Sequence, residues 1–261
     1  MSTQNHPFHL VDKSPWPLVS SMSMFILALG LVQWFHYHSS NLMLIGIFSV
    51  LLLMYLWWKD VTREATFQGL HTKEVTNGIQ MGVILFIASE VMFFFSFFWT
   101  FFHSSLEPTP HLSMKWPPEG IIAFNPYDVP MLNTYILLCS SVSVTWAHHS
   151  LVNNNQSNFK MGMYITIILG LYFTFVQYME YMEASFCISD AVYGSIFFVA
   201  TGFHGVHVIV GTIFLIMCLI RQNKFHMNQS HHLGFEAAAW YWHFVDTVWL
   251  FLYMSIYWWT V

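Results

Sequence analysis

The eighteen residues Gly82–Trp99, GVILFIASEVMFFFSFFW, carry a single ionisable side chain, Glu90. A run this long and apolar can cross the hydrocarbon core of a bilayer. Lipid offers no hydrogen bonds, so a spanning backbone must satisfy its own N–H and C=O groups, as helices and closed barrels do. The run has none of the polar–apolar alternation of a barrel strand. It is therefore read as a helix. Comparable runs give seven expected spans, at about Leu18–Phe35, Asn41–Trp58, Gly78–Phe102, Pro130–Leu151, Lys160–Met182, Ala191–Ile220 and Glu236–Trp259. Only 8% of residues are charged, against about a quarter in a water-facing domain. The fold class expected is an all-α integral membrane protein, and nucleic acid is not an expected partner.

Proline placement agrees with this map. Pro7, Pro15 and Pro17 precede the first span, while Pro108, Pro110, Pro117, Pro118, Pro126 and Pro130 lie between the third and fourth spans or at the edge of the fourth. No span has an interior proline to kink it. Residues 1–17 are thus a tail, 18–58 the first two helices, 59–77 a basic connection, and 78–261 a five-helix bundle interrupted by a Pro-rich outer connection at 103–129. The pairs Trp57–Trp58 and Trp258–Trp259 sit at expected span ends, as interfacial aromatic belts do. Of eight Lys and Arg residues, only Lys115 falls on the side opposite the N-terminus. Positive charge accumulates on the side of synthesis, so the N-terminus is expected inside and the C-terminus outside. This disfavours a seven-helix receptor. A retinal-type pump is disfavoured too, because it needs a lysine within a span and all six lysines lie outside the spans or at an end. The start of the chain fits neither a secretory signal nor a transit peptide.

Ionisable side chains inside the membrane are the candidate functional residues. Glu90 lies about 18 Å from the inner end of its helix at 1.5 Å per residue, near the midplane. An ionised carboxylate there costs from a few to more than ten kcal/mol. The carboxyl should be protonated or closely partnered. The sixth span carries ATGFHGVHVIVG, whose His204 and His207 fall about one turn apart, with His207 at a depth of about 20 Å. An imidazole of this helix is the expected partner of Glu90. Two helical histidines alone make half a metal site, so no metal is expected. In the same span Thr201 and Gly205 form a small-xxx-small pair that should admit a close helix. In the last span His243 and Asp246, three residues apart, are expected to satisfy each other. His148 and His149 sit at an inner helix end, where cations complement the dipole.

At the inner surface, WWKDVTREATFQGLHTK and RQNKFH bring Trp58, Arg63, His71, Arg221, Lys224 and His226 to headgroup level. Fixed cations beside an apolar groove suit anionic phospholipid; plain positive-inside topology would give the same composition. Cys139, Cys187 and Cys218 are far apart and are read as buried free thiols. Two matches to the glycosylation acceptor, at Asn155 and Asn228, fall in inner connections and are discounted.

The segments MGVILFIASEVMFFFSFFWTFFHSSLEPTP, WPPEGI, TWAHHSL, ISDAVYGSIFFVATGFHGVHVIVG, RQNKFH and HHLGFEAAAWYWHFVDTVWLFLYMSIYWW resemble subunit III of animal mitochondrial cytochrome c oxidases. The resemblance runs from HPFHLVDKSPWPL to the end and is loosest in the first two helices and the connections. It implies an inner-membrane protein with its N-terminus in the matrix and its C-terminus in the intermembrane space. Its helices would divide two plus five around a lipid-filled cleft holding phospholipids such as phosphatidylglycerol and cardiolipin. Its partners would be haem- and copper-bearing catalytic subunits and small accessory subunits, with no haem or copper of its own. The position of Glu90 matches the family's carbodiimide-reactive acid. The implied function is to stabilise the catalytic subunit, hold phospholipid and support proton uptake.

Two other classes remain open from the residues alone. An autonomous proton-linked transporter or channel would use Glu90, His204, His207 and Asp246 as its path, although the halves lack the repeat symmetry common in transporters. A b-type cytochrome would need axial histidines from facing helices, whereas His204 and His207 share one.

Overall fold

A computed structural model describes residues 6–110 and 114–260. The first five residues of the expected tail, His111–Ser113 of the Pro-rich connection and Val261 lie outside the described residues. Among the described residues there are seven α-helices and no strand: α1 (Trp16–Tyr37), α2 (Asn41–Thr66), α3 (Lys73–Leu106), α4 (Val129–Val152), α5 (Gln156–Glu183), α6 (Val192–Asn223) and α7 (Leu233–Leu252). A π-helical stretch, Tyr253–Trp258, continues α7. The first six are long and apolar enough to cross a membrane.

Helix ends follow local chemistry. Pro17 and Pro130 occupy first turns, where a missing N–H costs nothing. Asn155 caps α5 by accepting the Asn158 N–H at 3.1 Å. Arg63 and Arg221 lie in the last turns of α2 and α6, beside the negative end of the dipole. Both α2 and α3 run past their apolar stretches into the basic segment, leaving residues 67–72 between them. Charged side chains do not end a helix once they can reach water.

The chain forms two compact units, one through Ile79 and the other from Gln80. In the first, α1 and α2 pack as a hairpin, turned by His38 in the left-handed region (φ 54°). Their backbones touch where side chains vanish. A β-carbon added at Gly46 would lie 2.6 Å from Leu27 Cα, and one at Gly30 would lie 2.7 Å from the Leu42 carbonyl carbon. The Trp16 indole N–H donates to Asp60 at 2.7 Å and ties the far ends together. We expect Gly46→Val to force the hairpin apart at about 1–3 kcal/mol, the usual cost of overpacking. Gly82→Ala, with nothing within 4 Å of the new β-carbon, should be tolerated. Equal thermal midpoints for the two variants in detergent would contradict this.

In the second unit, α4 packs on α5 and α7, and α6 packs on α5 and α7. The most buried helix is α7, with Trp242 at its centre and fully enclosed. Gly170 of α5 and Gly211 of α6 clear the space for its indole: β-carbons there would sit 2.7 and 3.0 Å from the ring. Its N–H donates to Ser140 of α4 at 2.9 Å, and Trp249 donates likewise to Thr134 at 3.0 Å. By contrast α3, with only Phe94 and Phe101 buried, meets its neighbours through aromatic side chains, as in the pairs Phe94–Phe244 and Phe98–Phe251.

Two expectations are corrected. Nothing in this chain lies within 4 Å of a β-carbon added at Gly205, so none of its own described helices packs closely there. Cys139 and Cys187 are exposed; only Cys218 is buried.

Candidate functional site

Glu90 on α3 and His207 on α6 meet at 2.9 Å between Oε2 and Nε2. The other imidazole nitrogen, Nδ1, lies 2.6 Å from the Phe203 carbonyl one turn back. A carbonyl oxygen can only accept, so Nδ1 carries a hydrogen, and the tautomer is fixed by that bond. The remaining contact then needs one proton between Nε2 and the carboxyl oxygen. It sits either on Glu90, beside a neutral imidazole, or on His207, beside a carboxylate. Both arrangements have zero net charge, which makes the pair tolerable in a medium that rejects isolated ions. The rings of Phe93, Phe94, Tyr241 and Phe244 surround the imidazole at 5.1–6.4 Å between centroids. The side chains retain 13% and 22% exposure, so the pair is shielded but not sealed.

His204 does not join this pair. Three residues of helix advance about 300°, leaving roughly 60° between His204 and His207, enough to send them to different neighbours. His204 is fully buried, lies at 5.5 and 5.2 Å from the rings of Phe173 and Trp249, and donates from Nε2 to the Val245 carbonyl at 3.2 Å. His243 and Asp246 do not satisfy each other directly either. Both converge on the Ser141 hydroxyl of α4, 3.0 Å from His243 Nδ1 and hydrogen-bonded to Asp246 Oδ2. A serine in an apolar helix usually bonds back to its own turn, so nothing in the sequence marked Ser141. Glu180 also escaped notice; it is buried beside Tyr257 near the end of α5, close to the Asn133–Gln177 hydrogen bond of 3.2 Å. Its signal was the polar spacing of Gln177, Glu180 and Glu183 in a stretch otherwise rich in Tyr and Met.

The six surface candidates divide between the units. In the first, Trp58 and Arg63 are exposed, and His71 lies 5.8 Å ring to ring from His9. Here Ser20, Met24, Val50, Leu53, Met54, Trp57 and Trp58 line an apolar groove between α1 and α2. In the second, Arg221, Lys224 and His226 gather at the end of α6, and a β-carbon on Gly234 would meet the Arg221 guanidinium. Burial, followed by the charges of Arg221 and Lys224, holds the His226 imidazole below its usual range. At neutral pH the positive charge there belongs to Arg221 and Lys224.

Seven helices among the described residues, six of them long and apolar enough to span, with rare polar groups paired across helices, mark a polytopic α-helical membrane protein. The model of the family described as cytochrome c oxidase subunit III matches residues 6–261. Cytochrome c oxidase subunit 3 of Ornithorhynchus anatinus is 61% identical over 259 residues, covering 99% of both chains. Those of Equus asinus and Anopheles quadrimaculatus are each 60% identical, covering 99% and 98% of this chain and 99% and 97% of their own. The chain belongs to the cytochrome c oxidase subunit III family.

Proposed function

We propose that the chain is a non-redox core subunit of a proton-pumping respiratory oxidase, the complex that passes electrons from cytochrome c to O2. The family match across nearly the whole chain carries this reading. Haem and copper would reside in the catalytic partner subunits, and this chain would stabilise them, hold phospholipid and support proton uptake. The apolar outer face of α3, where Ile84, Leu85, Met92 and Trp99 are exposed, supports a helix covered by lipid or by partner helices. The Glu90–His207 pair supports the proton role because it sets a carboxyl and an imidazole 2.9 Å apart on two helices, a geometry in which a proton could pass between them.

In this reading α7 with its π-helical extension is the seventh crossing, about 39 Å long at 1.5 Å per residue. With each helix crossing once, chain order alone puts Lys13, Lys59, Arg63, Lys73, Lys160, Arg221 and Lys224 on one side and Lys115 on the other. That supports an inner-membrane protein with its N-terminus in the matrix and its C-terminus in the intermembrane space. Anionic phospholipid such as phosphatidylglycerol or cardiolipin would use Trp58, Arg63 and His71, and separately Arg221, Lys224 and His226. The apolar groove beside Trp58 suits an acyl chain. An autonomous transporter would want Glu90, His204, His207 and Asp246 on one path. They belong instead to three separate hydrogen-bonded groups, which favours the subunit reading.

Gentle detergent extraction followed by mass spectrometry tests both levels. The chain should emerge with haem- and copper-bearing chains, small accessory subunits and bound phospholipid; recovery of the chain alone would overturn the reading. Arg63→Ala or Arg221→Ala should each remove about 1 kcal/mol of attraction to anionic headgroups, roughly fivefold in retention. Unchanged lipid retention in both variants would refute the lipid role.

A further inference from the structure

Where the end of α4 meets the start of α7, His148, His232 and Glu236 place one ligand-type atom each within 4.8 Å of one another. We propose that these three side chains form a binding site for a divalent transition-metal ion of the zinc class, clamping the two helix ends. The ligands all come from this chain, so the inference does not depend on the oxidase reading.

The local hydrogen bonds carry the argument. His232 Nδ1 lies 3.0 Å from the Asn228 carbonyl and must donate to it. That leaves Nε2 as the lone-pair nitrogen, 3.2 Å from Glu236 Oε1. Two electron-pair donors that close repel unless a proton or a cation sits between them. Tetrahedral zinc, with bonds of about 2.0–2.1 Å, separates its ligand atoms by about 3.3–3.4 Å. The observed spacing fits that edge. The second carboxyl oxygen of Glu236 accepts from Gln80 Nε2 of α3 at 3.2 Å. Ligating imidazoles and carboxylates are held by such outer hydrogen bonds, here one on each of two ligands. Glu236 also lies in the first turn of α7, at the positive end of the helix dipole.

His148, one turn from the end of α4, brings its ring to 5.6 Å from that of His232. Phe235 closes one side of the group at 5.7 Å from His148. Two imidazoles and a carboxylate form a borderline donor set that suits zinc and leaves a fourth position for water. The ion would be redox-inert. Its effect would be to join α4 directly to α7, and α3 through Gln80, at one end of the bundle.

The test uses the intact complex containing this chain, stripped with chelator and then given micromolar Zn²⁺. Anomalous scattering at the zinc edge from wild-type crystals should show a peak about 2.0–2.1 Å from His232 Nε2. Glu236→Gln and His148→Gln should each lower zinc retention at this site at least tenfold. No peak in the wild type would overturn the site and leave a shared proton between His232 and Glu236. A peak that needs millimolar zinc and survives both substitutions would overturn it equally.

Discussion

Replacing Trp242 with alanine is expected to destabilise the second unit by about 3 kcal/mol, the lower end for emptying a buried tryptophan site. Lipid is as apolar as the indole, so the loss is one of packing rather than of hydrophobic transfer. Gly170 and Gly211 lie against this ring and cannot fill its place, because they have no side chain to move. The Ser140 hydroxyl would also lose its indole donor. Trp249→Phe should cost less, since it keeps most of the ring and gives up mainly the bond to Thr134. Thermal unfolding of the purified complex, followed as release of this chain, separates the two. Equal midpoints for Trp242→Ala and the wild type would mean that α7 is not the centre of the bundle.

The second large effect concerns the pair across α3 and α6, and it is asymmetric. Glu90→Gln leaves a side chain of similar volume whose amide N–H can donate to His207 Nε2, so assembly should survive with a change of a few tenths of a kcal/mol. His207→Leu leaves the largely shielded Glu90 carboxyl without its imidazole partner. An unsatisfied buried polar group costs about 1–3 kcal/mol. Proton uptake by the assembled oxidase should fall in both variants, because neither retains a proton that can move between acid and base. If Glu90→Gln fails to assemble, Glu90 is a packing element and the proton reading is wrong.

Much of the fold was legible because a bilayer enforces simple rules. Long apolar runs must be helices, and six of them are long and apolar enough to span. The seventh reads as an apolar run like the others, although it is not among the six. Its Ala237, Ala238, Ala239, Tyr241, Trp242, Asp246 and Trp249 are buried against the rest of the chain, so this helix need not be as apolar as a lipid-facing one. Depth counting brought Glu90 and His207 to the same level, and the structure joins them. The same counting could not show that His204 turns toward α7, because a difference of about 60° is decided by packing. Nor could it find Ser141, whose hydroxyl matters only because α4 brings it to His243 and Asp246. The close approach at Thr201 and Gly205 misled for a related reason. Small residues permit contact but do not require it; backbones instead approach at Gly30, Gly46 and Gly162, while Gly170 and Gly211 make room for the Trp242 ring.

The most direct test is infrared spectroscopy of the Glu90 carboxyl in the native complex, with Glu90→Gln assigning the band and His207→Ala perturbing it. A single proton shared along the 2.9 Å contact predicts that removing the imidazole shifts an existing carboxylic-acid band or creates one where a carboxylate had been. A Glu90 signal identical with and without His207 would contradict the account.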